Sequence, residues 1–243
     1  MCKFEYALIA IAAVFTTVVL IFFIYTIYYN IGTKMELGSL SDWISSLSTF
    51  GTLVVALMAY RKAPEWMAQK HYNTVSKVIE EAVYEDLRKL SSLSLQYKSH
   101  IVHTCFTLKK SLNAKDDLPS NIKDTLDIVE NLLIEFFNLS YSIQNRLKSI
   151  SRYNYVITPY ALNVAEEIKN TADNYNDLQT KFELSASEVT MLLCADEQAI
   201  NLANKEISEI QIKSIELNMK LSNYIKSVYA ENKSIDEFIM SKK

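Results

Sequence analysis

Glycine is nearly missing from this chain. Only three occur in 243 residues, at Gly32, Gly38 and Gly51. Tight β-turns and phosphate-cradling loops need positive φ, which glycine adopts without a steric cost. The long stretch after Gly51 is therefore read as helix, with neither hairpins nor nucleotide loops. Proline is equally scarce, at Pro64, Pro119 and Pro159. Cys2, Cys105 and Cys194 form neither a CxxC pair nor an even framework. That usage fits a reducing compartment, with Cys105 and Cys194 as small buried hydrophobes. The net charge of −3 lacks the basic excess that nucleic-acid binding needs, so no direct nucleic-acid contact is expected.

Catalytic signatures are absent too. No Walker loop, HExxH or nucleophile elbow occurs, so no enzyme activity and no cofactor are expected. His100 and His103 are three apart with Cys105 close by, yet no second ligand pair follows, and no metal site is expected. Glu80-Glu81 and Glu166-Glu167 are adjacent pairs whose members point to different sides of a helix, and they read as solvated faces.

What the chain does have is apolar length near its start. Tyr6 to Tyr29 carries no charge, and roughly 20 apolar residues span a bilayer. Tyr25, Tyr28 and Tyr29 close it as an interfacial belt. The run exits into bulky TIYYNIG rather than a small-residue cleavage site, so it reads as an uncleaved anchor. A connector follows, Asn30 to Ser39, with Lys34 and Glu36 and no positive bias.

The second apolar stretch is Leu40 to Trp66, LSDWISSLSTFGTLVVALMAYRKAPEW. Ser41, Ser45, Ser48 and Thr52 recur at helical spacing, with Asp42, Ser46 and Thr49 on an adjoining stripe. Small and hydroxyl residues so spaced let transmembrane helices approach and hydrogen-bond. The stripe Asp42, Ser45, Ser48, Thr49 and Thr52 either packs helices, within one copy or between copies, or faces a wet lumen in an assembly. Asp42 follows Ser41 where an N-cap belongs, and an intramembrane acid is the other reading. Trp43 and Trp66, with Arg61 and Lys62, are candidate interfacial anchors. Pro64 predicts a break or bend between Lys62 and Glu65. Lys3 precedes the first run and Arg61, Lys62 and Lys70 follow the second. The positive-inside rule then puts both termini in the cytoplasm and the connector outside the inner membrane.

After a first transmembrane run, the string SDWISSLSTFGTLVVALMAYRKAPEW resembles the two-transmembrane effectors of retron anti-phage defence systems. These are small bacterial proteins with a helical cytoplasmic tail. The resemblance covers the chain roughly as far as Lys70. It implies a toxin-like inner-membrane effector that damages the membrane when phage infection releases it from inhibition. It also implies a partner, the retron reverse transcriptase with its RNA-linked DNA. No family motif assigns a role to an individual residue here.

Beyond Pro64 the apolar positions alternate by three and four. In the first segment Ile79, Val83, Leu87, Leu90, Tyr97, Ile101, Cys105, Leu108 and Leu112 lie close to one seam, and in the second Ile122, Leu126, Val129, Leu133, Phe136, Ser140, Ile143, Leu147 and Ile150 do the same. Such seams predict helices packed side by side. Thr158-Pro159 reads as a helix start, and Ser185-x-x-Glu188 and Ser234-x-x-Glu237 as capping boxes. The predicted segments are Glu65–Leu112, Ser120–Arg152, Pro159–Leu184 and Ala186–Glu231, then a short tail helix. The first and last of these span about 70 Å each at 1.5 Å per residue. Lys233, Lys242 and Lys243 finish near the bilayer if the bundle stands upright, where they are either contacts to anionic lipid or solvated tail charges.

The expected fold is thus all-α. A transmembrane helical hairpin (1–62, helices about 6–29 and 41–60) is followed by a cytoplasmic antiparallel helical bundle or coiled coil (63–243). The expected function is a membrane-perturbing, homo-oligomeric effector of phage defence. A membrane-tethered scaffold or sensor that recruits a partner is the alternative.

Overall fold

The computed structural model describes residues 3–30 and 40–242. The connector with Lys34 and Glu36, along with Cys2 and Lys243, lies outside the described residues. The protein is all-α apart from one very small sheet. It divides into two compact units, Met1–Pro64 and Glu65–Lys243.

The first unit holds helix α1 (Lys3–Asn30) and the start of helix α2 (Leu40–Ile79). Helix α2 runs through Pro64 without a break. Proline removes one intrahelical bond, from its own nitrogen to the carbonyl of Tyr60. Pro64 and its flanks are exposed. Water can take the carbonyl, and strong helix formers on both sides hold the turn.

The second unit is a four-helix bundle of α3 (Asp86–Ala114), α4 (Ile122–Ser149), α5 (Pro159–Leu192) and α6 (Glu197–Glu231). Each packs on its sequence neighbour, and α6 closes the ring against α3. Short links force the antiparallel order. The predicted seams are the core: Leu87, Leu90, Tyr97, Ile101, Cys105, Leu108 and Leu112 of α3 are buried, as are Val129, Leu133, Phe136, Ile143 and Leu147 of α4.

The first seam carries a step that breaks its repeat. Val75, Ile79, Val83 and Leu87 are all buried, and their spacing is 4-4-4 rather than 4-3-4. That is one residue too many for a steady 3.5 repeat. The surplus is absorbed by a π-helical turn, Glu80–Glu85, between α2 and α3. Deleting exposed Glu80 restores 4-3-4-3. The bundle should then keep its melting temperature within a few degrees, whereas deleting Ser99 throws half of α3 out of phase and unfolds it. Thermal circular dichroism of the two variants checks this.

The boundary between α5 and α6 differs from the expected one. Helix α5 continues through Ser185 to Leu192, because Ala186 and Val189 keep its buried seam going and Ser187 Oγ bonds back to the Leu184 carbonyl at 2.7 Å. The start of α6 is capped by Asp196, whose carboxylate accepts from Ala199 N at 2.8 Å. Helix α6 therefore has 35 residues and spans about 52 Å, shorter than expected.

The tail is not a helix either. Ile235–Glu237 is a 3₁₀ turn without a Ser234 side-chain cap, and β2 (Ile239–Ser241) pairs antiparallel with β1 (Tyr155–Ile157). Phe238 is fully buried, its ring edge-on to Tyr160 at 5.1 Å and to Tyr84 at 6.5 Å. The burial of one aromatic outweighs the local capping signal. Lys233 is engaged within the bundle, 4.5 Å over the Tyr160 ring and 3.1 Å from Glu237.

Positive φ is used after all, without glycine. Lys115, Asn154 and Asn232 take left-handed conformations at helix ends. Asparagine tolerates that region well, which accounts for two of the three.

Candidate functional site

By length and composition α2 is long and apolar enough to cross a membrane, and its apolar stretch buries none of its residues within the protein. Ile44, Leu47, Phe50, Leu53, Val55, Leu57 and Met58 are all exposed. The apolar run Thr16–Tyr29 of α1 is shorter in the described residues, and Tyr25 and Tyr29 stack there at 5.8 Å.

Every described member of the predicted stripe lies on the surface of α2: Asp42, Ser45, Ser48, Thr49 and Thr52 are all exposed. Two hydroxyls bond back into the helix. Thr49 Oγ1 donates to the Ser45 carbonyl at 2.9 Å, and Thr52 Oγ1 to the Ser48 carbonyl at 2.9 Å. A hydroxyl satisfied in this way carries no unpaired donor into hydrocarbon. Asp42 lies in the first turn of the described helix, where a carboxylate faces the positive end of the helix dipole.

The small side of α2 reaches further than the polar residues alone indicated. Ser45, Thr49, Thr52, Ala56, Ala59 and Ala63 are spaced 4-3-4-3-4, and all are exposed. This is a 3.5-residue seam of small side chains along the whole apolar helix, the spacing along which helices pack at shallow angles. The alanines complete a pattern that a search for hydroxyls alone misses.

At the other end of the run, Arg61, Lys62 and Trp66 are exposed, and Lys70 Nζ sits 5.2 Å over the Trp66 ring. A cation over an indole is an amphipathic pair suited to an interface. The side chain of Trp43 lies outside the described residues.

A second cluster surrounds the π-helical turn. Asp86 is buried, with Oδ1 2.9 Å from Lys89 Nζ and Oδ2 3.1 Å from Arg146 Nη1 on α4. The Arg146 contact to Oδ2 is an ion pair by distance, without hydrogen-bond alignment. Arg146 Nη1 donates to Glu81 Oε2 at 3.2 Å, and Glu81 also faces Lys77 at 3.8 Å. Glu81 is therefore a structural bridge and not merely a solvated face. Glu167 likewise pairs with Lys220 at 2.8 Å. The C-terminal side grips the same turn: Tyr84 OH donates to the Lys233 carbonyl at 2.8 Å, and Tyr229 OH to the Tyr84 carbonyl. These contacts fix the helix; none sets a nucleophile against a base.

His103 is exposed and His100 half-buried on α3, and among the described residues no three His, Cys, Asp or Glu side chains form a metal-binding group. A groove of about 760 Å³ between α5 and α6 mixes Asp177, Glu206 and Glu209 with Lys181 and Lys213.

Cys105 is buried, and burial pushes its thiol up to about 12, with Lys109 opposing weakly. Cys194 is exposed, contrary to expectation, because it lies in the turn after α5. A maleimide at neutral pH should label Cys194 within minutes and leave Cys105 unreacted until the bundle is unfolded, since the thiolate is the nucleophile. Mass spectrometry of the two peptides decides it.

Comparison of the chain with protein-family models, curated proteins and solved structures found no match.

Proposed function

We propose that this protein is a membrane-embedded effector of bacterial anti-phage defence that perturbs the inner membrane when released from inhibition. The observation that carries the reading is α2: an apolar helix wholly exposed within the protein, with a seam of small and hydroxyl residues along one side. Joined to it is a bundle whose polar clusters are structural.

In this reading α1 and α2 form a two-span hairpin with both termini in the cytoplasm. Arg61, Lys62 and Lys70 mark the inner face, and Trp43 and Trp66 sit at the two interfaces. Copies associate through the small seam, where close backbone approach gives dispersion contact that lipid cannot match. Association gathers Asp42, Ser45, Ser48, Thr49 and Thr52 of several copies at the outer half of the membrane. Water drawn to that polar cluster is the perturbation. The resemblance supports a retron reverse transcriptase with its RNA-linked DNA as the inhibiting partner, acting on the bundle.

Expression in bacterial cells without the partner tests the reading. The wild type should collapse the membrane potential, read with a voltage-sensitive dye. Replacing Asp42, Ser45, Ser48 and Thr52 together by leucine should abolish the collapse while the protein stays in the membrane. Unchanged depolarisation by the leucine variant removes the stripe from the mechanism. Expression of the wild type with no loss of potential favours a tethered scaffold instead.

A further inference from the structure

The bundle carries an apolar strip that its fold does not use. On α3, Leu95, Val102 and Phe106 fall on one line at helical spacing, and on α6 so do Ile212, Ile215 and Met219. Leu95, Phe106, Ile212, Ile215 and Met219 are well exposed, Phe106 at 63% and Met219 at 58%. The two lines are neighbours. Asn218 Nδ2 of α6 reaches Ser94 Oγ of α3 at 2.8 Å, and Lys109 Nζ of α3 reaches Gln211 Oε1 of α6 at 2.8 Å. That antiparallel register sets Leu95 level with Met219, Val102 with Ile215, and Phe106 with Ile212. The same contacts show that both lines flank the α3–α6 junction on its solvent side.

We infer that this strip is the contact between two copies of the chain, packed parallel about a two-fold axis that runs along the bundle. The inference rests on the membrane reading above, in which both copies are held in one bilayer with the same topology. Rotation about such an axis lays α3 of one copy against α6 of the other at equal height. Each line then meets the other line, so the strip is self-complementary, as an isologous contact requires. The six side chains expose on the order of 600 Å² per copy, or roughly 1,200 Å² in a pair, which is where specific interfaces begin. An occupant of a different kind would not need the two lines to match in height.

The test uses full-length protein in native membranes. Two differently tagged copies are co-expressed with Cys2 and Cys194 replaced by serine. One carries Val102→Cys and the other Ile215→Cys, so a disulfide between them can only be intermolecular. Mild oxidation should give the doubly tagged dimer as the main product. Ile128→Cys on α4, paired with Ile215→Cys, should give none. Phe106→Glu in both copies should abolish the dimer, and unchanged circular dichroism shows that the exposed site tolerates the change. Monomer alone from the first pair, in protein that sediments with membranes, overturns the strip contact and leaves the membrane reading standing. Protein found in the soluble fraction overturns the parallel arrangement together with the reading it rests on.

Discussion

Leu53→Arg together with Leu57→Arg lowers the insertion ratio of α2 into a bilayer by about 10⁴–10⁶-fold. Each arginine near the centre of a span is disfavoured by about 2.5–3.5 kcal/mol on insertion scales, and each leucine removed contributes a few tenths more. Both leucines are exposed within the protein. The bundle therefore has no stake in them, and the variant tests insertion alone. A reporter with acceptor sites on either side of residues 40–64 reads the inserted fraction directly. The same pair placed at Lys70 and Asn73, beyond the apolar run, should change nothing. Equal insertion of the wild-type and double-arginine segments removes α2 as a spanning element.

Tyr175→Ala is the largest loss expected from a single substitution in the bundle, about 3–5 kcal/mol. Its ring is fully buried, packed 4.6 Å from Phe136 and edge-on to Tyr97 at 5.3 Å. Burial pushes its hydroxyl up to about 12, against a smaller opposing effect of the Ser94 hydrogen bond. The group is thus neutral wherever the protein is folded at ordinary pH. The hydroxyl bonds to Ser94, which in turn accepts from Asn218, so one polar chain ties α5 to α3 and α6. A parallel one runs from Tyr97 through Gln179 to Glu183. Alanine leaves both a cavity and a shortened network. Tyr175→Phe removes the hydroxyl alone and is expected to lose about 1–2 kcal/mol. Urea unfolding followed by circular dichroism separates the two. Similar losses for both variants would mean that the network, rather than the ring, holds the three helices together.

The parts of the fold legible in the sequence are those set by repeated burial. The α3 and α4 seams were readable because every third or fourth position carries an apolar side chain, and Val129, Leu133, Phe136, Ile143 and Leu147 are buried as that pattern requires. Local signals failed wherever burial opposed them. The Ser185 box is overruled by Ala186 and Val189, and the Ser234 box by Phe238. Pro64 is tolerated because exposed backbone can turn to water for its missing partner. The π-helical turn was legible in principle, as a 4-4-4 step from Val75 to Leu87, although nothing in the residue types alone names it. The three-residue strands were not legible, since Tyr155–Ile157 and Ile239–Ser241 are held by a partner far away in sequence. For the membrane stripe, the hydroxyls were visible and their alanine continuation was not, because Ala56, Ala59 and Ala63 pass for ordinary apolar filler until the spacing is counted.

The most direct test of the account is the protection of α2 by lipid. Phe50, Leu57, Met58 and Met67 are all exposed within the protein, so nothing in its own fold shields them. Single cysteines at these four positions are challenged with a membrane-impermeant maleimide in native membranes opened to both faces. The account predicts that positions 50, 57 and 58 stay unlabelled until detergent is added, while position 67 reacts at once. Equal labelling of all four before detergent would contradict it.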